Sequence, residues 1–92
     1  MVRTVSIHIS GKVQGVWFRS SAKAKADELR INGYVRNMRD GSVYILASGD
    51  PQNIRELIGW CWKGPELARV ANVDVEDAEN VEIPDGFGIS RL

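Results

Sequence analysis

Arg19 closes the stretch GKVQGVWFRSS, Gly11 to Ser21, in which two glycines interrupt a strand-like pattern and Val16, Trp17 and Phe18 crowd together. A guanidinium is a planar cationic fork that binds two oxygens of one phosphate or carboxylate, a geometry that lysine does not copy. A tight loop running into a helix start adds unpaired backbone N–H groups and the positive end of the helix dipole. Gly15 removes the side chain that would block an approaching anion, and Val16, Trp17 and Phe18 are expected to fix the loop from below. The familiar phosphate signatures, G-x-x-x-x-G-K-[ST] and G-x-G-x-x-G, are absent. An arginine in a helix's first turn is also what a solvated surface position looks like, so the stretch alone leaves both readings open.

Asn37 is the second candidate, and hairpin register decides where it points. GYVRNMRDGSVYILASG reads as two strands around Asp40 and Gly41. A two-residue Asp-Gly turn pairs Val43 with Met38 and Ile45 with Arg36, forcing an arginine onto the apolar face. A three-residue loop, Arg39 to Gly41 with the glycine in a left-handed bulge, pairs Ile45 with Val35 and Val43 with Asn37. The second register is preferred. It sets Arg36 opposite Tyr44 on the outer face and turns Asn37 toward the helices, where a polar amide needs a partner.

Other chemically capable residues are read as structural. His8, the single histidine, lies on the wet face of a strand in which Val5, Ile7 and Ile9 alternate with Thr4, Ser6, His8 and Ser10. With no evident partner it is a solvated histidine rather than a general base. Cys61, the single cysteine, falls in the apolar stripe of a helix and is expected to be a buried thiol, not a nucleophile. Trp60 lies off that stripe, marking a partner surface or folding over a neighbouring loop.

The elements that position these residues follow from periodicity. Phe18, Ala22, Ala26 and Leu29 repeat at helical spacing, with Lys23, Asp27, Glu28 and Arg30 on the other side; Asn32 and Gly33 are expected to stop that helix. A second helix opens at Asp50-Pro51, carries Ile54, Leu57, Ile58 and Cys61 inward, and closes at Gly64-Pro65. Ala71, Val73 and Val75 alternate as a further strand, and Phe87, Ile89 and Arg91 suggest a short last one. AENVEIPDG, Ala78 to Gly86, reads as an acidic surface loop. Strand, helix, strand, strand, helix, strand packs most simply as an α+β ferredoxin-like βαββαβ sandwich, a mostly antiparallel sheet with two helices on one face.

Ninety-two residues make a single domain, 1–92, with no room for a separate substrate domain. Twelve Lys plus Arg balance twelve Asp plus Glu, so no global field holds the chain on nucleic acid or an anionic membrane. The basic residues crowd the first half, while Asp74 to Asp85 is acidic, so an anion prefers the first half. One cysteine and one histidine exclude a disulfide framework and a zinc-like ligand cluster. No signal-peptide pattern opens the chain and no apolar run reaches a membrane span, so a cytoplasmic location is expected.

GKVQGVWFR, followed by GYVRNMRDGSV, KGPELARV and the terminal FGI, resembles the acylphosphatase family nearly end to end. The resemblance implies a small ferredoxin-like enzyme that hydrolyses acyl phosphates to a carboxylate and inorganic phosphate without metal or cofactor. Arg19 falls on the family's phosphate-binding arginine and Asn37 on its catalytic asparagine. Gln14, Gly15, Val16, Trp17 and Phe18 match the segment whose backbone amides hold the phosphate. Inorganic phosphate is then both product and inhibitor, and the protein is expected to act as a monomer on a small-molecule substrate. Trp17 stands at an open position of the family's motif, often filled by a smaller residue, and bears on access to the site more than on its chemistry. The end of the second helix, GWCWKGP, is unusually rich in tryptophan.

Two rival readings belong to other classes. A ferredoxin-like RNA-binding module needs stacking aromatics and basic residues across its open sheet face, which here offers chiefly Tyr44 beside Thr4, Ser6 and His8. A non-catalytic acylphosphatase-like domain, such as the one that begins hydrogenase-maturation carbamoyltransferases, is closer; the chain's end at residue 92 is read against it unless the chain is a piece of a larger protein.

Overall fold

The computed structural model describes residues 1–91. Its elements run β1 Arg3–Lys12, α1 Phe18–Glu28, β2 Asn32–Asn37, β3 Val43–Gly49, α2 Pro51–Lys63, β4 Arg69–Asp77 and β5 Phe87–Ile89. The sheet has the order β4-β1-β3-β2-β5. All neighbouring pairs are antiparallel except β2 and β5, which run parallel. This is the α+β, ferredoxin-like arrangement the sequence pattern predicts, with a short fifth strand added beside β2.

One apolar core lies between the sheet and the helices. Val5, Ile7 and Ile9 of β1, Val35 of β2, and Val43 and Ile45 of β3 meet Phe18, Ala22 and Ala26 of α1 and Ile54, Leu57 and Cys61 of α2, all of them buried. Each large side chain buried there stabilises the fold by roughly 1.5–3 kcal/mol before the entropy of ordering it is counted. Cys61 is fully enclosed, and burial pushes its thiol up to about 12, so it is an inert part of this core. The alanines of α1 are what let the helix lie close on the strands.

The hairpin register is the one that places Val35 opposite Ile45, Arg36 opposite Tyr44 and Asn37 opposite Val43. Its loop is Arg39 to Gly41: the Met38 amide donates to the Ser42 carbonyl at 2.8 Å, and Gly41 takes a left-handed φ of 93°. The second helix begins as expected, with the Asp50 carboxylate accepting from the Gln52 amide and Pro51 in the first turn.

Three local expectations are corrected. First, Asn32 and Gly33 do not stop α1. Arg30 takes the left-handed position with φ 55°, while the amides of Arg30 and Ile31 close on the carbonyls of Asp27 and Ala26. Gly33 instead belongs to β2, where its φ is 142° and a Cβ would meet the Leu46 carbonyl oxygen at 1.8 Å. Second, Ala71 is exposed: an irregularity pairs Ser10 with Asn72 but Gly11 with Val70, so the alternation slips by one residue and Val70 replaces Ala71 on the core side. Third, Arg91 lies beyond β5, which ends at Ile89.

Candidate active site

The loop between β1 and α1 is built by inward and outward alternation. Val13, Val16 and Phe18 are buried, and the Phe18 ring tilts at 58° against Trp60 with centroids 5.2 Å apart. Trp60 thus packs against the first residue of α1. Trp17, expected to help fix the loop from below, does the reverse: it is the N-cap of α1, holds φ 67° and ψ 22°, and is 75% exposed. A left-handed residue between two anchored neighbours turns its side chain outward. Gly15, at φ 74°, makes the other left-handed step, with nothing within 4 Å of where a Cβ would stand.

These bends leave a row of donors. From Gly15 to Ser20 the backbone N–H groups find no backbone acceptor among the described residues; the first such bond of the helix start is from the Ser21 amide to the Trp17 carbonyl, 3.1 Å. Orphan amides at a helix start, with the positive end of the helix dipole behind them, are suited to an oxyanion. Arg19, the second residue of α1, is half-buried and makes no hydrogen bond or ion pair among the described residues.

A cleft of about 420 Å³ is lined by Gly15, Trp17, Phe18 and Arg19 from the loop and helix start, and by Asn37 from the end of β2. Five of the seven candidate positions therefore surround one space. Gln14 and Val16 lie outside it. Val16 supports the loop from the core, whereas the Gln14 side-chain amide donates to the carbonyls of Met38 at 2.7 Å and Ser42 at 2.9 Å. That side chain ties the glycine loop to the hairpin that carries Asn37.

The cleft also holds Ile89 and Arg91, which sequence reasoning treated only as a last strand. The link is β5: the Ser90 amide donates to the Val35 carbonyl at 2.8 Å, and Lys23 of α1 donates to the Phe87 carbonyl at 3.0 Å. The alternation of Phe87 and Ile89 indicated the strand, but not that its far end lines the cleft.

His8 is not merely solvated. Its Nε2 is hydrogen-bonded to the Ser42 hydroxyl, and that hydroxyl also reaches Asp40 in the hairpin loop. The Ser42 hydroxyl and the Ser42 amide hold the Asp40 carboxyl below its usual range, with a smaller contribution from nearby His8. His8 faces the outer side with Tyr44 and Asp74, across the sheet from the cleft, so it offers no base to Arg19 and Asn37.

Amides, a guanidinium and a carboxamide that donates and accepts at once can hold an anion and orient a small polar molecule beside it. Fold and cleft together define a small ferredoxin-like α+β protein with a donor-rich site at one end of its sheet. The chain belongs to the acylphosphatase family, whose match spans residues 5–89. It is 51% identical over 85 residues to an acylphosphatase of Nitrosococcus oceani, covering 92% of each chain. It is 48% identical over 90 residues to one of Shewanella amazonensis, covering 98% of this chain and 99% of that one. Among solved structures, an acylphosphatase from Coxiella burnetii superposes with a TM-score of 0.91 at 39% identity, covering 97% of this chain and 93% of that one.

Proposed function

We propose that this protein is an acylphosphatase that hydrolyses the carboxyl–phosphate bond of acyl phosphates at the cleft between Gly15 and Asn37. One observation carries the assignment to this cleft: the loop amides and the Arg19 guanidinium, which have no partner among the described residues, line the same space as Asn37. Arg19 and the amides of Gly15 to Arg19 hold the phosphoryl oxygens, and Asn37 orients the attacking water. The water oxygen bonds to phosphorus as the bond from phosphorus to the acyl oxygen breaks. The carboxylate leaves with the electron pair, and the water's proton passes to a phosphoryl oxygen.

The leaving group explains why no strong acid is required. A carboxylate is weakly basic, so positioning and charge stabilisation are sufficient. An amide at Asn37 cannot act as a base, which is why the proton goes to the substrate's own phosphate. The same reading makes the protein a cytoplasmic monomer. Light scattering tests the monomer.

Nucleic-acid binding has less support. Tyr34 and Tyr44 share the outer face, but the Arg36 guanidinium sits against both rings, at 6.0 and 5.3 Å, and Asp74 and Glu76 stand opposite His8 and Ser6 across β1.

Phosphate release from benzoyl phosphate tests the activity, and titration with inorganic phosphate tests the site. Competitive inhibition with shifts confined to the amide resonances of residues 15–19 and the Asn37 side chain is the expected result. Hydrolysis with those resonances unmoved places the site elsewhere, and no hydrolysis removes the reading.

A further inference from the structure

Trp17 combines features that core packing does not explain. It is a large aromatic side chain, 75% exposed, held at φ 67° in the left-handed region that favours glycine, on the lining of the cleft. Both neighbours are buried, so the backbone is pinned on either side and the indole is presented outward. Ile89, on the strand that Lys23 and Val35 anchor, lines the same cleft.

We infer that Trp17 and Ile89 form an acyl-group subsite that selects acyl phosphates with an aromatic or bulky apolar acyl group over those with a short one. This rests on the acylphosphatase reading above and assigns its acyl-group specificity to Trp17 and Ile89. The cleft's donors, Arg19, Asn37 and the loop amides, are engaged by the phosphoryl group, leaving Trp17 and Ile89 to meet whatever the carboxyl carries. At about 420 Å³ the cleft falls in the range that holds drug-sized ligands, roughly 300–1,000 Å³, so a phosphate with a methyl-sized acyl group leaves much of it to water. An aromatic acyl group placed against the indole removes apolar surface from water on both partners and gains ring–ring attraction. Arg91, also on the cleft, does not discriminate between two uncharged acyl groups.

The test compares benzoyl phosphate with acetyl phosphate in the wild type, Trp17→Ala, Trp17→Phe and Trp62→Ala. The ratio of kcat/KM for benzoyl over acetyl phosphate is expected to fall about tenfold in Trp17→Ala, chiefly through the benzoyl KM, and to recover in Trp17→Phe. Trp62→Ala, which alters an exposed tryptophan outside the cleft, is expected to leave the ratio unchanged. Trp17→Gly suits the left-handed backbone and serves as the second truncation should the alanine variant fold poorly. Direct binding of phenylphosphonate and methylphosphonate, followed by calorimetry, gives the same comparison without turnover. If the wild type hydrolyses neither substrate, the activity reading fails and the phosphonate preference alone decides the subsite. Wild-type hydrolysis with an unchanged benzoyl-to-acetyl ratio in both Trp17 truncations overturns the subsite and leaves the activity standing.

Discussion

The side-chain amide of Gln14 lies 2.7 Å from the backbone carbonyl oxygen of Met38, the residue after Asn37, and also reaches that of Ser42, the residue before β3, at 2.9 Å. One side chain therefore bridges the loop that leads to Arg19 and both arms of the hairpin that carries Asn37. The distance between the proposed anion holder and the proposed water holder is set partly by that clamp. Both carbonyls keep a second donor, from the amides of Gly41 and Met38, so the clamp is not needed to satisfy them.

Gln14→Ala should accordingly cost stability only about 1 kcal/mol, the usual net worth of an intramolecular hydrogen bond. Turnover should fall about tenfold with phosphate affinity little changed, because the anion donors stay in place while Asn37 is less firmly held. Thermal unfolding, steady-state kinetics and phosphate inhibition check this together. A lower melting temperature with wild-type kcat makes Gln14 a purely structural tie.

Arg19→Lys keeps a positive charge and loses the planar fork. Loss of one well-placed donor typically costs roughly 3–4 kcal/mol of transition-state stabilisation, so kcat/KM should fall on the order of 10²–10³-fold. Stability should stay within about 0.5 kcal/mol, since Arg19 makes no hydrogen bond or ion pair among the described residues. Near wild-type kinetics in this variant refute bidentate binding.

Asp40 gives a pH dependence whose sign follows from its environment. Its carboxyl is held below the ordinary range by the Ser42 hydroxyl and amide, so the folded protein binds this proton less tightly than the unfolded chain. The contribution is fully present above about pH 3.9, the unperturbed value, and is lost as pH falls through the lower folded value. Asp40→Asn should therefore flatten the acid limb of the stability profile while leaving its shape above pH 5 unchanged. Urea melts from pH 2.5 to 7 measure it, and parallel acid limbs in the two proteins exclude the linkage.

Legibility in the sequence tracked how local the deciding physics is. The hairpin register was readable because only one loop length keeps Arg36 off the apolar face, and that register alone turns Asn37 toward the cleft. Arg19 was readable because its loop and helix start are contiguous. Ala71 was misread because the slip in β4 depends on its pairing with β1, far away in sequence, and alternation carries no sign of it. Gly33 was assigned to a helix end because glycine serves either purpose. Its actual requirement is the close approach of Leu46 from the neighbouring strand. The Gln14 clamp, the His8–Ser42 bond and the reach of Ile89 into the cleft are all long-range meetings of side chains with no local signature.

Asn37 separates holding the anion from reacting with it. Opposite Val43 and on the helix-facing side of β2, it lines the cleft from a different element than the loop amides. If its carboxamide orients the attacking water, Asn37→Ala should leave phosphate affinity within about twofold while kcat falls on the order of 10²–10³-fold, the loss expected for one well-placed group. Asn37→Asp is the sharper companion. A carboxylate there could take a proton from water, but it also stands beside a bound dianion, and like charges at such range disfavour binding. Repulsion should win, because acyl phosphate hydrolysis gains little from a base when the leaving group is already weakly basic. Phosphate affinity should then drop in Asn37→Asp and hold in Asn37→Ala. Inhibitor titration of both variants beside Arg19→Ala decides it, and an affinity lost equally in Asn37→Ala and Arg19→Ala ends the proposed division of labour.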